Sequence, residues 1–173
     1  MDSAGAPTQH DRINTYQWLL RALGTYLDEQ PTCRISLAEV PGGFLVRLQH
    51  ALHKLEPEVV KFDRAMLKEQ LDLLFQQHKP VQRSRHQGIW ADFPNGHADF
   101  FRALGYELDQ AGAKNVLIDE LEDGIVVTYS KDEDGSWSKK MVFLGKQDIE
   151  RILNAAFDRR RKNSSPAPAS PFQ

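Results

Sequence analysis

Two acidic and two basic side chains recur at equivalent positions of the chain and are the first candidates for polar chemistry. Glu39 and Glu120 lie 81 residues apart, and so do Arg21 and Arg102. Each glutamate follows alternating apolar residues, so an unbroken strand would turn it towards the interior, where a carboxylate needs a partner such as the repeated arginine. We prefer the simpler interpretation, in which the strand has begun to turn and the glutamate is solvated. Either way, the four residues are expected to be structural before they are catalytic.

Other residue types that could do chemistry lack the spacing that chemistry needs. His50 and His53, with Glu56, are the closest group of metal-ligating types, but a zinc site needs three or four convergent ligands. The segment after Asp132 starts like a calcium loop, but its glycine comes too early and the closing glutamate is missing, which favours a hairpin tip. No nucleophile elbow, HExxH motif or P-loop is present. We therefore predict no catalytic residue, no metal and no cofactor, and the pattern favours a protein that is not an enzyme.

Basic residues give the only electrostatic pattern that points to a partner. A run of four cations follows a segment in which acids outnumber bases, and further cations lie with a tryptophan in the middle of the chain. Such cations could bind phosphates, and tryptophan could stack on bases. The interpretation that we prefer is a solvated basic face, with helix-end charges that complement the helix dipole. The residues predicted to bind a partner are Arg83, Arg85, Trp90, Arg159, Arg160, Arg161 and Lys162.

The repeated residues belong to a longer repeat. RALGTYLD at 21–28 returns as RALGYELD at 102–109, and the same step of 81 residues pairs positions 14–49 with 95–130 without a gap. It also aligns Phe62 with Phe143, after which one extra residue realigns the last helix. Such a period is longer than that of a solenoid, so we interpret the repeat as two copies of one structural unit.

Each copy shows the same order of elements. Leu19, Leu20, Leu23 and Leu27 follow helical spacing, and Pro31 ends that helix. Two segments with strand alternation, joined by a glycine-rich turn, then predict a hairpin, and a third strand and a second helix follow. The predicted fold class is α+β: a tandem duplication of a helix-strand-strand-strand-helix unit, with a three-stranded antiparallel sheet and helices on one face in each copy.

Glycine and apolar residues predict further contacts. Gly24 and Gly105 stand in the middle of helices, where glycine costs about 1 kcal/mol relative to alanine, so we expect a strand or the sister helix to approach them closely. Some apolar strand residues alternate out of step with those that face the helices, so they point to the other side of the sheet. Either the sister unit or the linker covers that side, or the alternation is imperfect. These residues are Leu117, Val126, Val142 and Leu144.

The predicted boundaries are a disordered N-terminus (1–12), a first unit (13–78), a linker (79–96), a second unit (97–162) and a disordered tail (163–173). The order of elements is similar to that of double-stranded RNA-binding domains, although acidic Asp148 and Glu150 stand where those domains carry a lysine cluster. It is also similar to part of the secretion-chaperone type of fold. The first resemblance implies a nucleic-acid partner and the second a protein segment.

Composition and the lack of long apolar segments indicate the cellular compartment of the protein. The 173 residues are 40% hydrophobic and 27% charged, which is typical of soluble globular proteins. No apolar run approaches the roughly 18 residues of a membrane span, the first residues lack a signal-peptide core, and the lone Cys33 agrees with a reducing compartment. We therefore expect a cytoplasmic protein without membrane contact.

The predicted function is a non-enzymatic protein-interaction or regulatory module built from two homologous units. One alternative is a nucleic-acid-binding protein that uses the basic linker and the C-terminal run. The other is a small-ligand binder or enzyme with a pocket between the units. The sequence gives neither the identity of the partner nor the oligomeric state.

Overall fold

The computed structural model describes residues 15–30, 32–50, 56–77 and 96–164. Their α+β composition is as predicted, and the order helix, three strands, helix occurs twice. The predicted N-terminal segment, almost all of the predicted linker and the predicted tail from residue 165 onwards lie outside the described residues, whereas Asn163 and Ser164 belong to the last helix. The predicted boundaries remain predictions. The helices are α1 (Tyr16–Asp28), α2 (Arg64–Gln77), α3 (Gly96–Gln110) and α4 (Lys146–Ser164). The strands are β1 (Thr32–Val40), β2 (Gly43–His50), β3 (Glu58–Asp63), β4 (Lys114–Glu120), β5 (Gly124–Glu133) and β6 (Ser136–Gly145).

The six strands form one antiparallel sheet in the order β3-β2-β1-β4-β5-β6. The prediction of a tandem of units, each with its own three-stranded sheet, is therefore wrong. Separate sheets would leave an edge of β1 and an edge of β4 with unpaired backbone N–H and C=O groups. These two edges instead pair with each other, and the two halves of the chain share one sheet.

The register of the central pair relates the two halves by an approximate two-fold axis. Leu37 faces Ile118, and these two residues are separated by the 81-residue step of the sequence repeat. On either side, Ser36 faces Asp119 and Ala38 faces Leu117, so the repeat positions are exchanged across the axis. Equivalent residues of the two halves therefore meet at the centre of the sheet.

The helices cover one face of this sheet. Strand side chains of one parity are buried beneath them, and the leucine stripe predicted for the first helix packs on the same core. A fully buried leucine or phenylalanine contributes about 1.5–3 kcal/mol relative to an exposed one, so this layer dominates the stability. The largest fully buried side chains are Leu19, Leu20, Leu23, Leu27, Phe44, Leu48, Leu67, Phe100, Phe101 and Ile118.

Strand β6 differs from the sequence alignment by one residue. Phe62 faces Phe44 across β3 and β2, whereas Leu144 faces Ile125 at the corresponding place in β6 and β5. Leu144 is thus the counterpart of Phe62, and the extra residue precedes the third strand rather than following it. Phe143 consequently points to the side of the sheet that carries no described helix.

The same register corrects the expectation about apolar residues at opposite parity. Leu117 and Val126 do lie on the side of the sheet away from the helices. Val142 and Leu144, in contrast, face Val127 and Ile125 and belong to the helix-covered side. Imperfect alternation thus accounts for two of the four residues, and an apolar outer face accounts for the other two.

Candidate functional site

The repeated glutamates join the two halves. The Glu39 carboxylate accepts hydrogen bonds from the Val116 N–H (3.0 Å) and the Tyr16 hydroxyl (2.5 Å), and the Glu120 carboxylate accepts one from the Ile35 N–H (3.1 Å). Glu120 is only 7% exposed, so it is not the solvated residue that we preferred. Burial, aided by the neighbouring Glu39 carboxylate, raises the pKa of Tyr16, which keeps its hydroxyl a donor. These carboxylates add side-chain hydrogen bonds at both ends of the short β1–β4 pairing. They form no catalytic arrangement with each other.

Two repeated aspartates cap helices of the opposite half. Asp28, at the end of α1, accepts hydrogen bonds from the N–H groups of His97 (2.7 Å) and Ala98 (3.2 Å) in the first turn of α3. Asp109, in the last turn of α3, accepts them from Tyr16 (2.9 Å) and Gln17 (3.0 Å) in the first turn of α1. First-turn N–H groups have no partner within their own helix, and a carboxylate satisfies them while complementing the helix dipole.

The aspartate caps differ in their surroundings. Asp28 also contacts the His97 ring nitrogen Nδ1 at 3.0 Å, and both side chains are almost fully buried. Asp109 is half-buried: burial raises the pKa of its carboxyl, and the two backbone donors oppose that shift. Sequence reasoning noted the aspartates only as identical positions, because their partners are about 70 to 90 residues away in the chain.

The repeated glycines allow α1 and α3 to touch at their backbones, as the close approach predicted for them requires. A Cβ on Gly24 would lie 2.6 Å from the Ala98 Cα, and a Cβ on Gly105 would lie 2.5 Å from the Tyr16 carbonyl carbon. Neither neighbour is a movable side-chain end. The identities of the sequence repeat therefore mark the contact between the two halves.

The repeated arginines lie away from that contact, on the outer side of the helices. The guanidinium groups of Arg21 and Arg102 lie 5.5 and 4.9 Å from the centre of the Trp18 ring. Burial, together with the nearby charges of Arg21 and Arg160, lowers the pKa of Arg102 to about 10, and the Asp99 carboxylate opposes this shift. The structure thus places the arginines in a crowded cationic group rather than beside the backbone contacts of the repeated glutamates.

The predicted basic run belongs to the last turns of α4. Arg159 lies 3.4 Å from Glu107 and stacks 3.9 Å from the centre of the Tyr106 ring, while Arg160 lies 3.8 Å from Asp99. Arg161 and Lys162 are exposed in the last turn, where cations complement the helix dipole. The remaining predicted partner-binding residues, Arg83, Arg85 and Trp90, lie outside the described residues.

The side of the sheet opposite the helices, here called the open face, exposes large apolar side chains. Met141 is 74% exposed, Val59 63% and Phe143 49%, and Leu117 is also exposed near the centre. Between β1, β2 and β4 this face has a shallow depression of about 220 Å³. Among the strand residues of the open face are Ser36, Ala38, Leu45, Arg47, Val59, Lys61, Leu117, Asp119, Val126, Thr128, Trp137, Met141 and Phe143.

The charges on this side of the sheet are unequal. Cations at the open-face parity lie on both halves: Arg34, Arg47, Lys61, Lys114 and Lys139. The acids at this parity are Asp63, Asp119 and Asp132, and two of them are engaged with backbone N–H groups, Asp63 with Met66 and Asp132 with Gly135. Asp119 is the remaining carboxylate, so the open face is apolar in β4 to β6 and cationic around that apolar area.

Two cavities lie on the helix side. One, of about 380 Å³, is apolar and opens between α3, α4 and the sheet, with Leu108, Val127 and Leu144 in its wall. The other, of about 430 Å³, lies between α3 and α4 near Gln17 and contains several of the arginines described above.

The described residues give no support for a metal site or for a helix that spans a membrane. Within the part of the chain that the structure describes, no three His, Cys, Asp or Glu side chains gather as a metal site would require. The helices described here are each too short or too polar to cross a bilayer. Comparison with the models of known protein families, with curated proteins and with solved structures gives no match to this chain.

Proposed function

We propose that the protein is a non-enzymatic interaction module whose open face binds an apolar and acidic segment of another protein. The observation that carries the proposal is the exposure of Met141, Phe143, Val59 and Leu117 on the side of the sheet opposite the side that packs against the helices. Each such side chain contributes about 1.5–3 kcal/mol when a partner buries it. Contiguous exposed apolar side chains of this kind are typical of binding surfaces.

Charge complementarity favours an acidic partner. Arg47 and Lys61 lie on the side of the open face formed by β2 and β3, and Lys139 lies beyond Met141 on β6. A partner with apolar residues over β4 to β6 and carboxylates at its margins would match this distribution, and such complementarity raises the association rate and sets orientation.

A second copy of this chain matches the open face less well. Stacking two open faces would place Arg47 and Lys61 against the same cations or against the apolar residues of β6. Either contact would desolvate charges without an opposite charge to offset the cost. A different protein that supplies carboxylates is therefore the proposed partner.

Selection of displayed random peptides on the immobilised protein tests the proposal. We expect the selected peptides to be enriched in Asp or Glu together with large apolar residues. In isothermal titration they should bind the double variant Met141→Glu with Phe143→Glu at least about tenfold more weakly, because the change removes apolar contact and adds like charge. Phe157→Glu is the control, since Phe157 is an exposed aromatic residue (61%) on α4, away from the open face.

Three outcomes would contradict this function. If the selected peptides contained no acidic residues, the cations of the open face would not determine the choice of partner. Equal binding by the double variant and the wild type would place the contact elsewhere. Tight binding of a single-stranded oligonucleotide that weakens steeply with salt and is reduced by the double variant would instead favour the nucleic-acid alternative on this face.

A further inference from the structure

The cavity of about 430 Å³ between α3 and α4 is unusually rich in cations. Its wall contains Arg102 on α3 and Arg159, Arg160 and Lys162 on α4, while Asp99 is the one carboxylate that lines it. We propose that this cavity binds the phosphate group of a small phosphorylated ligand. The inference is independent of the open face, which lies on the opposite side of the sheet.

Crowding of the guanidinium groups is the first argument. Arg21 and Arg102 share the Trp18 ring, and Arg160 is close enough to lower the pKa of Arg102 further than burial alone does. Asp99 lies 3.8 Å from Arg160, and Glu107 lies 3.4 Å from Arg159. Arg102 stacks on the Trp18 ring, and within the described part of the chain Asp99 is the one carboxylate whose charge opposes the lowering of its pKa. A bound dianion would offset the repulsion in this group.

The geometry of the side chains suits phosphate. A guanidinium group donates two parallel hydrogen bonds to phosphate oxygens, and stacking on an aromatic ring restricts its orientation before binding. Arg102 stacks on Trp18, and Arg159 lies 3.9 Å from the centre of the Tyr106 ring. Two of the cavity's cations are thus held in place by aromatic rings, which lowers the entropy cost of binding.

The size and composition of the cavity fit a small molecule. Ligand sites commonly have volumes of about 300–1,000 Å³, and this cavity lies within that range. Gln17, Tyr106 and Asn163 add polar side chains beside the cations, and Ala103 and Ala156 add apolar surface. These groups could contact the part of the ligand that carries the phosphate.

Two described positions of this group differ between the halves. Counted from the buried Leu67 of α2 and Ile149 of α4, Arg159 stands where the first half has Gln77. Asp99 likewise stands where the first half has Trp18. The counterparts of residues 160–162 lie outside the described residues. The packing that the two halves share therefore does not require Arg159, which agrees with a role in binding.

Amide chemical-shift titration of the full chain at constant ionic strength tests the proposal. Inorganic phosphate and adenosine monophosphate should both shift the amide signals of the cavity residues on α3 and α4, whereas adenosine should not. Arg102→Gln and Arg160→Gln should each weaken binding of adenosine monophosphate by about tenfold, the loss expected for one charge-assisted hydrogen bond. Arg161→Gln is the control, because it removes the same charge from the neighbouring position of α4 but does not line the cavity.

Several results would overturn the proposal. One is a loss of affinity with Arg161→Gln as large as with Arg160→Gln, since that would mean that only the net charge matters. Another is the absence of shifts with both phosphate and adenosine monophosphate. A third is binding of a short oligoadenylate by a protein that does not respond to the monophosphate. The two cavity variants stand on different helices, so a folding defect in one leaves the other to decide.

Discussion

In the first half of the molecule, Tyr26 packs edge to face on Phe62 with ring centres 4.8 Å apart, whereas the second half has Glu107 and Leu144 at the same places. The aromatic pair lies between helix and sheet in the first half. Beside Glu107 and Leu144 the second half has an apolar cleft of about 380 Å³. Two halves with one arrangement of helices and strands thus place different side chains at this point.

Where the halves meet, they are more alike. Gly24 and Gly105, the two aspartate caps and the two glutamates make reciprocal contacts across the approximate two-fold axis. These contacts use residues that the halves share. The cleft and the cationic cavity combine shared residues, such as Leu108 and Arg102, with unshared ones, such as Glu107 and Arg159. Function is best sought where unshared residues gather.

The largest effect is expected from closing the space between α1 and α3. Gly105→Ala would place a Cβ 2.5 Å from the Tyr16 backbone, and Gly24→Ala would do the same to Ala98. We expect each change to lower the free energy of unfolding by about 3 kcal/mol, because overpacking against backbone exceeds the gain of about 1 kcal/mol in helix propensity. Urea denaturation measures this loss.

Gly145→Ala is the matched control for the glycine variants. A Cβ there would meet its nearest atoms at 3.6 and 3.8 Å, so nothing needs to move. Its stability should stay within about 0.5 kcal/mol of the wild type. If Gly105→Ala were equally harmless, the close contact of the two helices would not be the centre of the fold.

A smaller effect, unequal between the halves, is expected at the caps. Asp28→Ala would leave two buried N–H groups of α3 and the His97 ring without their carboxylate, at a cost of about 2–3 kcal/mol. Asp109→Ala should cost about 1 kcal/mol, because water reaches that half-buried site and the carboxyl already bears a desolvation penalty. Equal losses in urea denaturation would contradict the asymmetry.

The smallest effect is expected when the cleft of the second half is filled. Glu107→Tyr combined with Leu144→Phe transfers the aromatic pair of the first half into the cleft and should raise the free energy of unfolding by about 1 kcal/mol. The exchange also removes the ion pair between Glu107 and Arg159. This pair is exposed and contributes at most about 1 kcal/mol to the free energy of unfolding. The reverse exchange, Tyr26→Glu with Phe62→Leu, should cost about 3 kcal/mol. Thermal unfolding of both double variants would show whether the halves accept each other's packing.

Hydropathy periodicity predicted the elements but not their assembly. The spacing of Leu19, Leu23 and Leu27 defines a buried helix stripe, and alternation around Leu37 defines the buried face of a strand. Periodicity does not show which strand lies along an edge, and so the pairing of β1 with β4 was missed. The step of 81 residues placed Phe143 opposite Phe62, an error of one residue that exchanged a buried position for an open one.

The candidate sites were less predictable. The basic run at 159–162 was visible, but its division into cavity-lining and exposed members depends on the rotation of α4 against α3. The sequence marks Arg102 only as the repeat of Arg21. It does not show that Arg102 stacks on Trp18, because the two residues lie on different helices. The open face could be anticipated only through Leu117 and Val126.

The pairing of Leu37 with Ile118 has a consequence for molecules that fold side by side. The β1 edge that pairs with β4 of the same chain fits β4 of a neighbouring chain equally well. If two chains paired in this way, the glycine contacts and the aspartate caps would form between the chains instead of within each. Two chains can therefore swap halves at little cost in contact energy, with the outcome governed by concentration. Refolding at high concentration should yield a species of twice the monomer mass in size-exclusion chromatography with light scattering, and dilute refolding should not.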